Sequence, residues 1–132
     1  PGPNRPRAIA DYVRGGGGLV YCGGWMSFQG YHGIGNWAGS PVAELLPVEV
    51  PNVFDDRVER PEGAPIGPVE RDHPVTSGLD WDAFPTLYGY NRVGDVRDDA
   101  AGLATVDGDP LLAVREAGEG RALAYTSDPG PK

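Results

Sequence analysis

The chain has 132 residues with 21 glycines, 14 prolines, one cysteine and a formal net charge of −8. That length suits one domain with a single core. The acid excess, with no basic stripe between aromatics, excludes nucleic acid and anionic membrane surfaces as partners. The lone Cys22 excludes an intrachain disulfide, and no apolar run approaches the roughly 20 residues that span a bilayer. A cytoplasmic location is the default expectation. Glycine and proline make up roughly a quarter of the chain, near the level of disordered segments. Compact apolar runs such as Leu111-Leu112-Ala113-Val114, together with Trp25, Trp37 and Trp81, nevertheless require a folded domain with turn-rich connections.

Pro1 to Pro3 read as an extended entry, and Asn4 caps a helix with Pro6 in its first turn and Ile9, Tyr12 and Val13 on one face. Gly15 to Gly18 end that helix, because glycine tolerates the left-handed backbone of a C-terminal cap. Leu19 to Cys22 form a strand of continuous apolarity, the pattern of a strand covered on both faces in a parallel sheet. Gly23 to Gly39 form a long aromatic loop, Ser40 caps a short helix reaching Leu46, and Val48 to Val50 are extended. From Pro51 to Pro74 the many Pro, Asp, Glu and Arg residues predict a surface excursion with short extended pieces. Strands follow at Thr86 to Val93, Leu103 to Val106, Leu111 to Arg115 and Arg121 to Thr126. The turns Asp107-Gly108-Asp109-Pro110 and Ala117-Gly118-Glu119-Gly120 join the last three into a meander. The pattern predicts an α/β fold, a doubly wound and mostly parallel sheet with an antiparallel edge.

Several stretches are familiar together: Asp11-Tyr12-Val13 and the glycine run, Gly23-Gly24-Trp25-Met26-Ser27-Phe28-Gln29-Gly30, and Gly39-Ser40-Pro41-Val42. Asp55-Asp56-Arg57-Val58-Glu59, His73-Pro74-Val75, Leu87-Tyr88-Gly89-Tyr90-Asn91-Arg92-Val93, Gly118-Glu119-Gly120-Arg121 and Thr126-Ser127-Asp128 continue the match. In this order they resemble a family of glutamine amidotransferase-like proteins, a branch of the class I, or ThuA-like, superfamily. The resemblance implies a flavodoxin-like fold, of which residues 1–132 form a single partial domain. Its first strands and helices are expected before Pro1, and more chain after Lys132.

Class I amidotransferases hydrolyse glutamine with a cysteine on a sharp strand-to-helix turn, flanked by small residues and aided by backbone N–H groups. A histidine and a glutamate late in the chain complete the triad. On this resemblance Cys22 is the candidate nucleophile. Gly24 supplies the small residue after it, but Val20 stands where a small residue is expected before it. Counting Leu19 to Cys22 as strand moves the nucleophile-equivalent position to Gly23. The expected His-x-Glu after the last strand reads Thr126-Ser127-Asp128-Pro129-Gly130. The chain therefore lacks an intact triad, and Cys22 reads as a packed thiol. His32 in the aromatic loop and His73 before Pro74 lack a partnering motif. Asp55, Asp56 and Glu59 read as solvated ion pairs on an arginine-studded loop, and no metal or cofactor is implied.

Ligands of doubly wound sheets bind beyond the carboxyl ends of the strands. There the chain offers Trp25, Ser27, Phe28 and Tyr31, and, if the last strand runs parallel to the first, Ser127 and Asp128. Asn91 and Arg92, beside Tyr90, could close the crevice. Aromatic walls with few polar groups suit a small polar ligand such as a sugar or an amide. The plainer alternative has Trp25 and Phe28 covering the sheet end and Arg92 paired with a carboxylate. Two further functions stay open: an active amidotransferase using Cys22, and a structural module whose long loop makes contacts in a homo-oligomer.

Overall fold

A computed structural model describes residues 4–67 and 69–130, so the expected extended entry at Pro1 to Pro3 lies outside the described residues. Helix α1 (Asn4–Arg14) leads through the glycine turn into strand β1 (Gly18–Cys22). Strands β2 (Arg57–Ala64), β3 (Leu87–Asn91), β4 (Ala100–Val106), β5 (Asp109–Ala117) and β6 (Gly120–Tyr125) follow. The main sheet has the order β1-β6-β5-β4, and β2 and β3 form a second, antiparallel sheet. β1 runs parallel to β6, with Leu19 opposite Ala122 and Cys22 opposite Tyr125, whereas β4, β5 and β6 form the antiparallel meander. The sheet is thus mixed, with few helices around it.

The helix is where its signals put it, but its buried face is Pro6, Ala10 and Val13 rather than Ile9, Tyr12 and Val13. Small residues win because α1 lies close on β6: a Cβ at Gly120 would sit 1.9 Å from the Val13 carbonyl oxygen. Tyr12 instead points outward, its ring against Gly17. Val13 is packed with Ala10, Leu45 and Ala117, a burial worth about 2 kcal/mol for the valine side chain. The glycine turn caps the helix as expected, with Gly15, Gly16 and Gly17 N–H donating to the carbonyls of Asp11, Val13 and Tyr12.

Three expectations need correcting. β1 is not covered on both faces by the described residues: Leu19 and Tyr21 pack inward, but Val20 is 68% exposed at the sheet edge. The helix after Ser40 is one 3₁₀ turn, Ala43–Leu45, although the Ser40 hydroxyl does accept the Ala43 N–H at 3.1 Å. The excursion after Pro51 contains the eight-residue β2, whose bulge between Glu59 and Ala64 erases any two-residue apolar period.

The two sheets enclose a core of Val58, Leu87, Tyr90, Leu103, Val106, Leu111 and Leu112. On the other face of the main sheet, Phe28, Leu46, Val48, Val93, Ala113 and Ala124 form a second cluster. β3 therefore ends against the carboxyl end of β6, where the Asn91 N–H donates to the Thr126 carbonyl at 2.8 Å.

Candidate functional site

The parallel pair β1 and β6 ends in one turn: the Gly23 N–H donates to the Tyr125 carbonyl at 2.7 Å. β3 arrives beside it, and strand alternation divides its last residues. Tyr90 and Arg92 turn one way, where Tyr90 Oη donates to Asp109 Oδ2 at 2.6 Å and Arg92 Nε donates to the same oxygen at 3.0 Å. Asn91 turns the other way, into the Gly23-Gly24 turn, and is fully buried.

Its carboxamide is saturated. Oδ1 accepts the Gly24 N–H at 2.8 Å and Arg57 Nη1 at 3.1 Å. Nδ2 donates to Asp56 Oδ1 at 2.8 Å, to the Gly24 carbonyl at 3.1 Å and to the Ser27 carbonyl at 3.3 Å. Donors surround the oxygen and acceptors the nitrogen, so the partners themselves fix the amide orientation. Asp56, also buried, accepts the N–H groups of Gln29 and Gly30 at 2.9 Å each. One carboxylate thereby ties the aromatic loop to β3.

Arg57 lies beneath this network with a side chain only 4% exposed. Its Nη2 donates to Glu59 Oε1 at 3.0 Å and to Asp128 Oδ2 at 3.2 Å. Gly89 makes room for it, since a Cβ there would meet Nη2 at 2.8 Å. Arg57 Nε is buried with no hydrogen-bond partner among the described residues. Glu59 and Asp128, both more than two-fifths exposed, form the outer rim.

The nucleophile-equivalent position has no room for a side chain. A Cβ at Gly23 would lie 2.2 Å from the Thr126 carbonyl oxygen and 2.8 Å from Asn91 Oδ1. Cys22, one residue earlier, alternates with Tyr21, whose hydroxyl accepts the Phe28 N–H at 3.1 Å inside the loop. The Cys22 side chain therefore lies on the opposite face, that of Val20. Burial pushes its thiol pKa up, away from the depressed values of reactive thiols. Among the described residues neither histidine bonds to it. His32 is stacked between Tyr31 and Phe54 and stands 4.0 Å from Asp55, while His73 Nδ1 accepts the Val75 N–H at 3.1 Å.

The aromatic loop presents a ladder of rings. Trp25 and Tyr31 have centroids 4.8 Å apart, Tyr31 and His32 3.9 Å, and His32 and Phe54 5.4 Å. The ends of the ladder are open, with Trp25 55% and Phe54 74% exposed. Asp55 secures its middle by accepting the His32 N–H at 3.0 Å and the Arg57 N–H at 2.8 Å. These two backbone hydrogen bonds, His32 first, lower the Asp55 pKa.

Of the residues singled out in the sequence, Trp25, Ser27, Asn91 and Asp128 gather around Gly24; a Cβ there would be 3.3 Å from Asp128 Oδ1 and 3.7 Å from Ser27 Oγ. Tyr31 extends the wall through Trp25. Phe28 and Ser127 are buried, Ser127 Oγ donating to the Gly89 carbonyl at 2.6 Å. Arg92 is held by Asp109, as the plainer alternative has it. Sequence reasoning missed Arg57 and the internal role of Asp56. The signal available was the Asp55-Asp56-Arg57 run itself, read as solvated although Asp56 and the Arg57 side chain are buried. Two grooves lie elsewhere: about 750 Å³ on the open sheet face around Val20, Val114 and Leu123, and about 500 Å³ between Val96 and Leu103.

Comparison with known proteins adds an independent line. The family model described as "Putative glutamine amidotransferase" matches residues 1–132. No curated protein matches the chain. Two solved structures from Salmonella typhimurium are similar: the cytoplasmic protein STM3548 at 39% identity and TM-score 0.89, and the cytoplasmic protein STM1381 from strain LT2 at 36% and 0.88. Each alignment covers 98% of this chain and 51% of the other, so the chain spans about half the length of these relatives. A cold-adapted beta-galactosidase from Rahnella sp. R3 shares the fold at 18% identity and TM-score 0.61, over 93% of this chain and 18% of that one. With the family model spanning its whole length, the chain belongs to this glutamine amidotransferase-like family.

Proposed function

We propose that this is a class I glutamine amidotransferase-like domain of the ThuA-like, flavodoxin-like type that does not hydrolyse glutamine. In this reading the strand-end turn has become a structural joint, and the rim outside it binds a small polar ligand. The observation that carries the reading is the closure of the turn. Glutaminase chemistry needs a nucleophile on the turn and a free backbone N–H after it for the oxyanion. Gly23 has no space for a Cβ, and the Gly24 N–H is already bonded to Asn91 Oδ1 at 2.8 Å. The ligand site is the surface of Trp25, Ser27, Tyr31, Glu59 and Asp128, a ring face beside carboxylates. That chemistry suits hydroxyl or amide donors. A cytoplasmic location accords with the descriptions of the two Salmonella relatives and with a single unpaired cysteine.

The test is ammonia release from glutamine by the full chain and by Cys22→Ser. Neither should exceed the uncatalysed rate; release that disappears in Cys22→Ser would restore the amidotransferase reading. For the rim, Trp25 fluorescence titrated with monosaccharides and simple amides should change saturably, and no response across both classes counts against a ligand site.

The exposed ends of the ring ladder favour a second reading, a subunit contact through Trp25 and Phe54. Sedimentation of the full chain decides it: a monomer at high concentration removes it, and a dimer dispersed by Trp25→Ser supports it.

A further inference from the structure

We propose that the chamber filled by the Asn91 side chain is a primary-carboxamide binding site, and that Asn91 is its built-in occupant, keeping free amides out. The protein groups around the carboxamide match an unsubstituted amide. Two donors, the Gly24 N–H and Arg57 Nη1, meet the oxygen at 2.8 and 3.1 Å. Three acceptors, Asp56 Oδ1 and the carbonyls of Gly24 and Ser27, meet the nitrogen at 2.8 to 3.3 Å. A carboxylate ligand would put an oxygen against those three acceptors, and an N,N-dialkylated amide would have no hydrogen for them. The two charged walls are held independently of the occupant: Asp56 by the Gln29 and Gly30 N–H groups, Arg57 by Glu59 and Asp128. Removing the occupant therefore leaves one donor wall and one acceptor wall already in place. The inference rests on the reading that the turn holds no nucleophile. Glutamine hydrolysis through Cys22 would overturn that reading, whereas amide binding by an Asn91 variant is measured separately.

Asn91→Gly deletes the atoms of an acetamide molecule. Thermal unfolding of the full chain carrying this change is measured with acetamide, acetate and N,N-dimethylacetamide, beside the unmodified protein. The expected result is saturable stabilisation of the variant by acetamide alone, with the unfolding constant falling about tenfold at ten times its Kd. Leu46→Ala, an apolar cavity in a buried cluster, should not respond. Equal responses of variant and unmodified protein, or an equal effect of acetate, would overturn the proposal. If Asn91→Gly refolds poorly, acetamide in the refolding buffer should raise the yield specifically, and failure to do so counts against the site. Asn91→Asp gives a second arm, keeping the shape but placing oxygen against Asp56 and the two carbonyls. Its unfolding constant at pH 7 should be at least about tenfold above that of the unmodified protein, and the difference should shrink on acidification as the new acid takes up a proton. Unchanged stability at pH 7 would show that donor pattern does not matter there.

Discussion

Asp56 joins the aromatic loop to the end of β3, because two loop amides and the Asn91 carboxamide converge on it. Buried donors left without an acceptor cost about 1–3 kcal/mol each. Asp56→Ala should therefore lower stability by about 3 kcal/mol in denaturant titration, allowing for partial relaxation. Asp56→Asn should fall between, since one amide oxygen still accepts. The exposed acids behave differently. Asp55 is held ionised by the His32 and Arg57 N–H groups, and Asp99 by the Arg115 guanidinium, and both folded pKa values are lowered. Their contribution is present above the unfolded aspartate pKa of about 3.9 and is lost as pH falls through the lower folded values. Unfolding followed from pH 7 downward should thus steepen below about pH 4, and Asp99→Asn should flatten that limb. Cys22 gives a chemical check: with its thiol pKa raised by burial, alkylation by iodoacetamide at pH 7 should be slower than for a free cysteine.

At the scale of elements, the joint between β1, β6 and β3 depends on the absence of a side chain at Gly23. Gly23→Ala forces a methyl to 2.2 Å from the Thr126 carbonyl oxygen and should cost about 3 kcal/mol. Comparison of its Tm with that of Gly16→Ala, where the backbone strains but nothing is hit, separates steric from conformational cost. Local signals made much of this architecture legible. The caps and glycines delimit α1 and β1, and the turn residues Asp107-Gly108 and Gly118, all left-handed, mark the β4-β5-β6 meander. The register pairing Cys22 with Tyr125 and leaving Gly23 in the turn follows from the apolar run ending at Cys22. What stayed hidden depends on distant partners. β2 has no clean alternation because it is bulged and half solvated. Asn91, one polar residue at the end of an apolar strand, reads equally well as a ligand contact or an internal strut. Only the approach of Gly24, 67 residues away in sequence, makes it the latter.

For the molecule as a whole, the uneven cover of the main sheet is the dominant feature. One face is packed under the loop cluster of Phe28, Leu46 and Val48, whereas Val20, Val114 and Leu123 line a groove of about 750 Å³ on the other. The chain on its own should bind an apolar dye there, and Val20→Thr should alter stability by less than about 0.5 kcal/mol because the side chain is already solvated. Dye fluorescence and denaturant titration read the two outcomes. The proposed ligand site lies at the opposite, carboxyl end of β1, where the Gly24 N–H donates to Asn91 Oδ1 at 2.8 Å. Amide hydrogen exchange of Gly24 measures this most directly. A turn closed by Asn91 predicts protection comparable to that of the β1 and β6 amides, and its loss in Asn91→Gly with recovery on adding acetamide. Rapid exchange of Gly24 in the unmodified protein would mean that the turn is open, and would contradict it.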